Sequence, residues 1–245
     1  MSQKKFFEAC ENGDIEVLRS LDYSKIDIHY GDEYAFQEAC GNGHLVVVQF
    51  LLSLEETHGC IDIHADDDQA FQWACASGYL DLVKFLLTLE ETHGRIDIHA
   101  LNECAFRFAC DCGYLDIIQF LLSLEPEYGR IDIHAENEHA FRWVCYNCHL
   151  DVVKFLLTLE ETHGRIDIHV QKNWSFENSN VHIRYRLIQR DPEYNWKQVK
   201  GYKSYRRKIN KIIEQLTQLH QILIQFDTDI LELNVIGIVK DFLMG

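Results

Sequence analysis

The tetrapeptide IDIH occurs five times, starting at Ile26, Ile61, Ile96, Ile131 and Ile166, so successive copies begin 35 residues apart. A fixed period between about 20 and 50 residues marks a solenoid, in which each unit covers its apolar face with the next. That spacing argues for one elongated body with an appendage rather than a single central core. Within the copy that runs from Ile61 to Arg95 the pattern changes twice. Ile61 and Ile63 alternate with Asp62 and His64, which predicts a short extended piece with one buried edge. Ala70, Phe71, Ala74 and Cys75 then repeat at helical spacing up to Gly78, and Leu80, Leu82, Val83, Phe85, Leu86, Leu87 and Leu89 form a second helix, apolar on most of its circumference. Gly78 and Gly94 stand where helices end, since glycine adopts the left-handed conformation there without strain.

The run AC-x-x-G-[HY]-L-x-[VLI]-[VI]-[KQ]-FLL occupies Ala39 to Leu52, Ala74 to Leu87 and Ala109 to Leu122, and recurs from Val144 to Leu157 with Val144 and Cys148 as its changes. In these residues the chain resembles the ankyrin repeat, in a variant form of the kind carried by large DNA viruses of amoebae and by amoeba-associated bacteria. The resemblance covers roughly residues 4 to 170. The family's TPLH tetrapeptide is replaced by QAFQ at 69 to 72 and its equivalents. The finger after IDIH is about three residues shorter than the family pattern, and the segment after the second helix about five longer. The expected fold is an all-α solenoid of helix-turn-helix repeats with short fingers. Residues 1–170 form the array: one short N-terminal cap unit, four full units and the start of a fifth. Residues 171–245 form a basic, helical C-terminal capping element.

Columns that stay fixed between copies are read as packing. They include the Phe at 36, 71, 106 and 141 and the Cys at 10, 40, 75, 110 and 145. Packed helices lie about 8 to 10 Å apart, too far for disulfides, which need Cα atoms within about 7 Å. A lone CxxC, Cys145 with Cys148, occurs among the nine cysteines. Free thiols of this kind suit a reducing compartment, so the expected location is cytoplasmic, or the host cytosol or nucleus for a viral or effector protein. The start of the chain lacks a signal-peptide pattern, and a membrane span is not expected.

Free columns cluster at the finger tips and on the first helices, which in ankyrin proteins line the concave face that grips partners. The resemblance places the partner-binding candidates at Asp66, Asp68, Gln69 and Ser77, then Leu101, Glu103, Arg107 and Asp111, then Glu136, His139, Arg142 and Tyr146. Trp73, Phe108 and Trp143 share one column, read as framework or as partly exposed anchors. Cys148 replaces the glycine found at 43, 78 and 113, which predicts either local strain or a different helix end.

Charge divides the chain. Residues 1–170 hold 11 Lys and Arg against 31 Asp and Glu, whereas residues 171–245 hold 12 against 8. An acidic array favours a partner protein with a basic surface. Residues 182–211 are basic and rich in aromatics, and Arg184, Arg186, Arg190, Lys200, Lys203, Arg206 and Arg207 are candidates for nucleic acid or anionic lipid. The bland alternative is a basic cap beside an acidic array. From Tyr205 to Phe226 apolar residues recur at three and four, and a segment from Ile230 to Leu243 carries GIVKDFL, an echo of the repeat. Two such helices cap the solenoid, or form a seam that makes the protein a dimer; the last apolar face needs cover, which favours the cap.

No phosphate loop, nucleophile elbow or HExxH is present, so an enzyme is not expected, nor a cofactor. Glu55 with His58, Glu90 with His93 and Glu160 with His163 share an ExxH spacing, but these copies lie side by side along a solenoid, and a solvated acidic turn is expected rather than a metal site. The ladder His29, His64, His99, His134 and His169 is read as duplicated imidazoles bonded to nearby backbone. The expected function is therefore a non-enzymatic protein-interaction scaffold. The alternatives are nucleic-acid or lipid binding through 182–211, and an adaptor that recruits host ubiquitin machinery, suggested by architecture alone.

Overall fold

A computed structural model describes residues 2–226. The chain parts into two compact units, Met1–Ala140 and Phe141–Gly245. In the first, α1 (Ser2–Asn12) and α2 (Ile15–Arg19) form the short N-terminal pair. Three copies of one pattern follow, each a long helix, a second helix and a single helical turn. They are α3 (Tyr30–Gly41), α4 (Leu45–Ser53) and α5 (Glu55–His58); α6 (Ala65–Ser77), α7 (Leu80–Leu87) and α8 (Glu90–His93); α9 (Ala100–Cys112), α10 (Leu115–Ser123) and α11 (Glu125–Tyr128). The division between units falls inside α12 (Ala135–Tyr146).

The first helices stack in chain order, α1 on α3, α3 on α6 and α6 on α9. Their shared face is the fixed columns: Phe36, Phe71 and Phe106 are buried, as are Ala39, Ala74, Ala109 and the cysteines at 10, 40, 75 and 110. Each such phenylalanine contributes about 1.5–3 kcal/mol by leaving water. Burial pushes the Cys10 thiol up to about 12 and those of Cys40, Cys75 and Cys110 up as well, which keeps them protonated and inert. All nine cysteines are free thiols. On the second helices, Val47, Val48 and Leu51, then Leu82, Val83 and Leu86, then Ile117, Ile118 and Leu121 are buried.

Two local expectations change. The IDIH stretch is a turn rather than an extended strand, because its aspartate folds back: Asp27, Asp62 and Asp97 each accept the backbone N–H of the histidine two residues on, at 2.9–3.0 Å. The alternation of burial survives, with Ile61 and Ile63 inside and Asp62 out. The surplus residues after the second helix are the single turns α5, α8 and α11, each closed by a glycine at φ near 100° (Gly59, Gly94, Gly129). Glu55 and Glu125, which open two of these turns, accept the N–H of Ile61 and Ile131 at 2.9 and 3.1 Å.

The second unit contains α13 (Leu150–Thr158), α14 (Glu160–His163), α15 (Val170–Asn178), α16 (Val181–Arg190) and α17 (Tyr202–Phe226). Repeat geometry continues beyond residue 170. Phe176 is fully buried on α15, and Asn180 opens α16 by accepting the N–H groups of His182 and Ile183. The loop after α16 packs inward through Trp196, and Tyr205 and Ile209 bury the start of α17. The predicted segment Ile230–Leu243 lies outside the described residues. Among the described residues no helix is long and apolar enough to cross a membrane.

Candidate functional site

The first helices α3, α6, α9 and α12 each begin with three consecutive residues in the left-handed region: Gly31, Asp32 and Glu33; Asp66, Asp67 and Asp68; Leu101, Asn102 and Glu103; and Glu136, Asn137 and Glu138. For non-glycine residues this conformation costs roughly 1–2 kcal/mol each, so something must hold it. A histidine does. His29 Nδ1 lies 2.7 Å from Glu33 Oε1, His64 Nδ1 2.6 Å from Asp68 Oδ1, and His99 Nδ1 2.9 Å from Glu103 Oε1. The other ring nitrogen faces a backbone carbonyl of the tail that precedes the next unit, that of His58, His93 or Tyr128, each at 3.0 Å. The acid also accepts the N–H of the next unit's IDIH aspartate: Glu33 from Asp62, Asp68 from Asp97, and Glu103 from Asp132. Histidine and acid thus form a staple between successive repeats.

Both imidazole nitrogens face acceptors, so the pair retains a proton. Burial pulls His29, His64 and His99 down, but the hydrogen-bonded acid, the carbonyl and the aspartate two residues earlier outweigh it, and all three are raised above 6.5. Burial likewise raises Asp68, against the pull of His64.

These staples revise the surface expected to meet a partner. Asp68 and Glu103 are 5% and 6% exposed and fully engaged in them, so neither faces solvent as the finger-tip reading supposed. What the fingers expose is Asp66 and Asp67, Leu101 and Asn102, and Glu136 and Asn137. Asn102 donates to Glu136 at 2.8 Å, tying two finger tips together. Gln69, Trp73, Ser77, Phe108, Asp111 and His139 are half-buried. Arg107 is half-buried and spends its guanidinium on the carbonyls of Leu101 and Asn102 at 2.9 and 2.8 Å. A cleft of about 360 Å³ opens between successive fingers, lined by His99, Asn102, Glu103, Asp132, Ala135 and Glu136. Tyr30 and Tyr34, exposed beside Phe7 on the N-terminal pair, form an aromatic patch that the sequence reading did not single out.

In the second unit, Arg142 is buried, donates to Gln171 Oε1 at 3.1 Å and lies over the Trp174 ring, so it belongs to packing. Trp143, Tyr146 and Trp174 form one aromatic cluster with ring centroids 5.3–5.7 Å apart, and Tyr146 is its exposed member. Of the predicted anion-binding residues, two are structural. Arg184 donates to the carbonyls of Phe176 and Glu177 at the end of α15, and Arg190 pairs with Glu160. Arg186 is half-buried, whereas Lys200, Lys203, Arg206 and Arg207 are exposed.

A sequence model described as Ankyrin repeats (3 copies) matches residues 6–99. Those residues are ankyrin repeats. Among solved structures, an ankyrin repeat family protein from Legionella pneumophila is similar, at 23% identity and a TM-score of 0.40, over 76% of this chain and 66% of that one. No curated protein matches. Ankyrin repeats are a non-enzymatic fold that mediates protein–protein interaction. The single turns supply the residues by which the segment after each second helix exceeds the family pattern.

Proposed function

We propose that the ankyrin array is a non-enzymatic scaffold that binds a partner protein bearing a basic surface, through the exposed finger tips and the half-buried side chains of the first helices. The acidic cleft carries this reading. Asp132 and Glu136 line it with no lysine or arginine among its residues, Glu103 being held by His99, and Asp66 and Asp67 extend the same charge to the preceding finger. A lysine or arginine side chain fits such a space, and charge complementarity sets selectivity and encounter rate more than raw affinity. The free thiols are in keeping with a reducing cytoplasmic setting.

The test is mass spectrometry of what co-purifies with the intact chain, followed by titration of the partner so found. Asp66→Asn together with Glu136→Gln keeps shape and removes charge. Loss of affinity by about tenfold or more, with wild-type binding that weakens as salt rises, is expected. Unchanged affinity sinks the acidic-face reading.

A second reading rests on the exposed cations at the start of α17, Lys203, Arg206 and Arg207, with Lys200 just before them. It is nucleic-acid or anionic-lipid binding by the second unit. Salt-sensitive binding of single-stranded DNA or anionic vesicles, removed by Lys203→Glu with Arg207→Glu, is the outcome that would favour it.

A further inference from the structure

The single turns place different side chains together at successive repeat junctions, and one junction stands apart. Glu55, Cys60 and His93 bring a carboxylate oxygen, a thiol sulfur and an imidazole nitrogen within 4.8 Å of one another. His93 Nε2 is 2.8 Å from Glu55 Oε1, with the two side chains 8% and 21% exposed. The relevant sequence separation is therefore 38 residues, from one repeat to the next, and not the three of the ExxH spacing.

The following junction shows what the same place looks like when it is closed. There Arg95 takes the position of Cys60 and Tyr128 that of His93. Tyr128 donates to Glu90 at 3.1 Å, and the Arg95 guanidinium sits 3.9 Å over the Tyr128 ring and 3.8 Å from Glu90 Oε1. A protein cation balances the carboxylate, and neither arginine nor tyrosine is a ready ligand. At the first junction both substitutions run the other way: the arginine is lost, and each replacement adds a donor that zinc favours.

We propose that Glu55, Cys60 and His93 form a site for a thiophilic divalent cation of the zinc type, bridging two ankyrin repeats. Three protein ligands drawn from Cys, His and Glu, with the fourth position left to water or to a donor from a partner, are the pattern of an open zinc site. Bonds of about 2.0–2.3 Å set tetrahedral donor atoms about 3.3–3.8 Å apart, so the His93–Glu55 pair opens slightly and the thiol closes in. Thr92 Oγ1, 2.7 Å from His93 Nδ1, holds the ring with Nε2 toward the site, as the hydrogen-bond partners behind metal-bound histidines do. Zinc takes the thiolate and the bare His93 Nε2, so the protons those atoms carry go to solvent. Because the thiol must be deprotonated to bind, affinity rises with pH.

The test uses the intact, reduced chain with zinc in calorimetry and cobalt in absorption spectroscopy. One zinc per chain, a thiolate-to-cobalt charge-transfer band, and affinity that increases between about pH 6 and 8 are expected. Cys60→Arg with His93→Tyr copies the second junction and so retains the fold; it should lose affinity by at least about 100-fold. Cys112→Ser and Cys148→Ser, at the other exposed thiols, should leave it unchanged. Absence of the cobalt–thiolate band, or stoichiometric zinc retained by the Cys60→Arg, His93→Tyr chain, overturns the proposal.

Discussion

At the scale of single residues the repeat asks two things of the glycine that ends each first helix. Gly78 has φ +87°, and a Cβ built there meets the Tyr114 ring of the next repeat at 2.5 Å. Gly43 stands in the same relation to Tyr79, and Gly13 to His44. Gly78→Ala is therefore expected to cost more than the roughly 1 kcal/mol of backbone strain alone, and Tyr114→Ala in the same chain should recover the steric part; urea titrations of the single and double variants check this. Cys148 occupies the equivalent position at φ 66°, so of the two outcomes foreseen it is the strained one. Cys148→Gly should stabilise by up to about 1 kcal/mol. The phenylalanine, cysteine and glycine columns were legible because the same physical demand recurs from copy to copy. Asp68 and Glu103 were not. A carboxylate at a finger tip reads as a solvated charge by residue type alone, and the only hint of burial is its fixed place four residues after a histidine. Cys60 was passed over for the opposite reason, since a change in one copy of a column looks like drift until the neighbouring side chains are in place.

Among the elements, the helices follow from periodicity, while the connections depend on side-chain hydrogen bonds that no periodicity reports. IDIH alternates like a strand, yet its aspartate bonds the histidine N–H and turns the chain within two residues. The single turn α8 is equally hidden, because four polar residues before a glycine do not announce a helix. The fifth copy shows how far side chains can drift while the element persists. Asn173 replaces the acid of the staple yet still meets His169 at 2.6 Å, and His169 Nε2 turns to Asp191 Oδ2 at 3.0 Å in place of a carbonyl. Tyr194 stacks on that imidazole at 3.9 Å between centroids. Asn178 and Ser179 end the column pattern, but Asn180 restarts a helix. Asn180→Ala removes the acceptor for two N–H groups at the start of α16 and should cost about 1 kcal/mol, read as a lower midpoint in thermal or urea unfolding.

For the molecule as a whole, the staples tie stability to pH. His29, His64 and His99 have raised values when folded, so the protonated pair contributes in full below about pH 6.5. That contribution is lost as the pH climbs through the raised values, when two acceptors come to face each other at these three junctions. A melting temperature that falls across that window is expected, and His64→Gln with His99→Gln should flatten the profile. A flat profile in the unaltered chain would show that the pairs keep no proton. The charge asymmetry of the sequence pointed to an acidic face and a basic end, but not to which charges are spent internally: Arg184 and Arg190 were counted as binding residues and turned out to hold the chain together. The staples also bear on how such an array changes over time. The histidine grips a peptide carbonyl and the acid a peptide N–H of the adjoining copy, and since every residue has the first group and all but proline the second, the joint recognises main chain rather than any particular neighbour. Whole copies can be gained, lost or exchanged without redesigning the seam, leaving finger tips such as Asp66 and Leu101 to diverge one copy at a time.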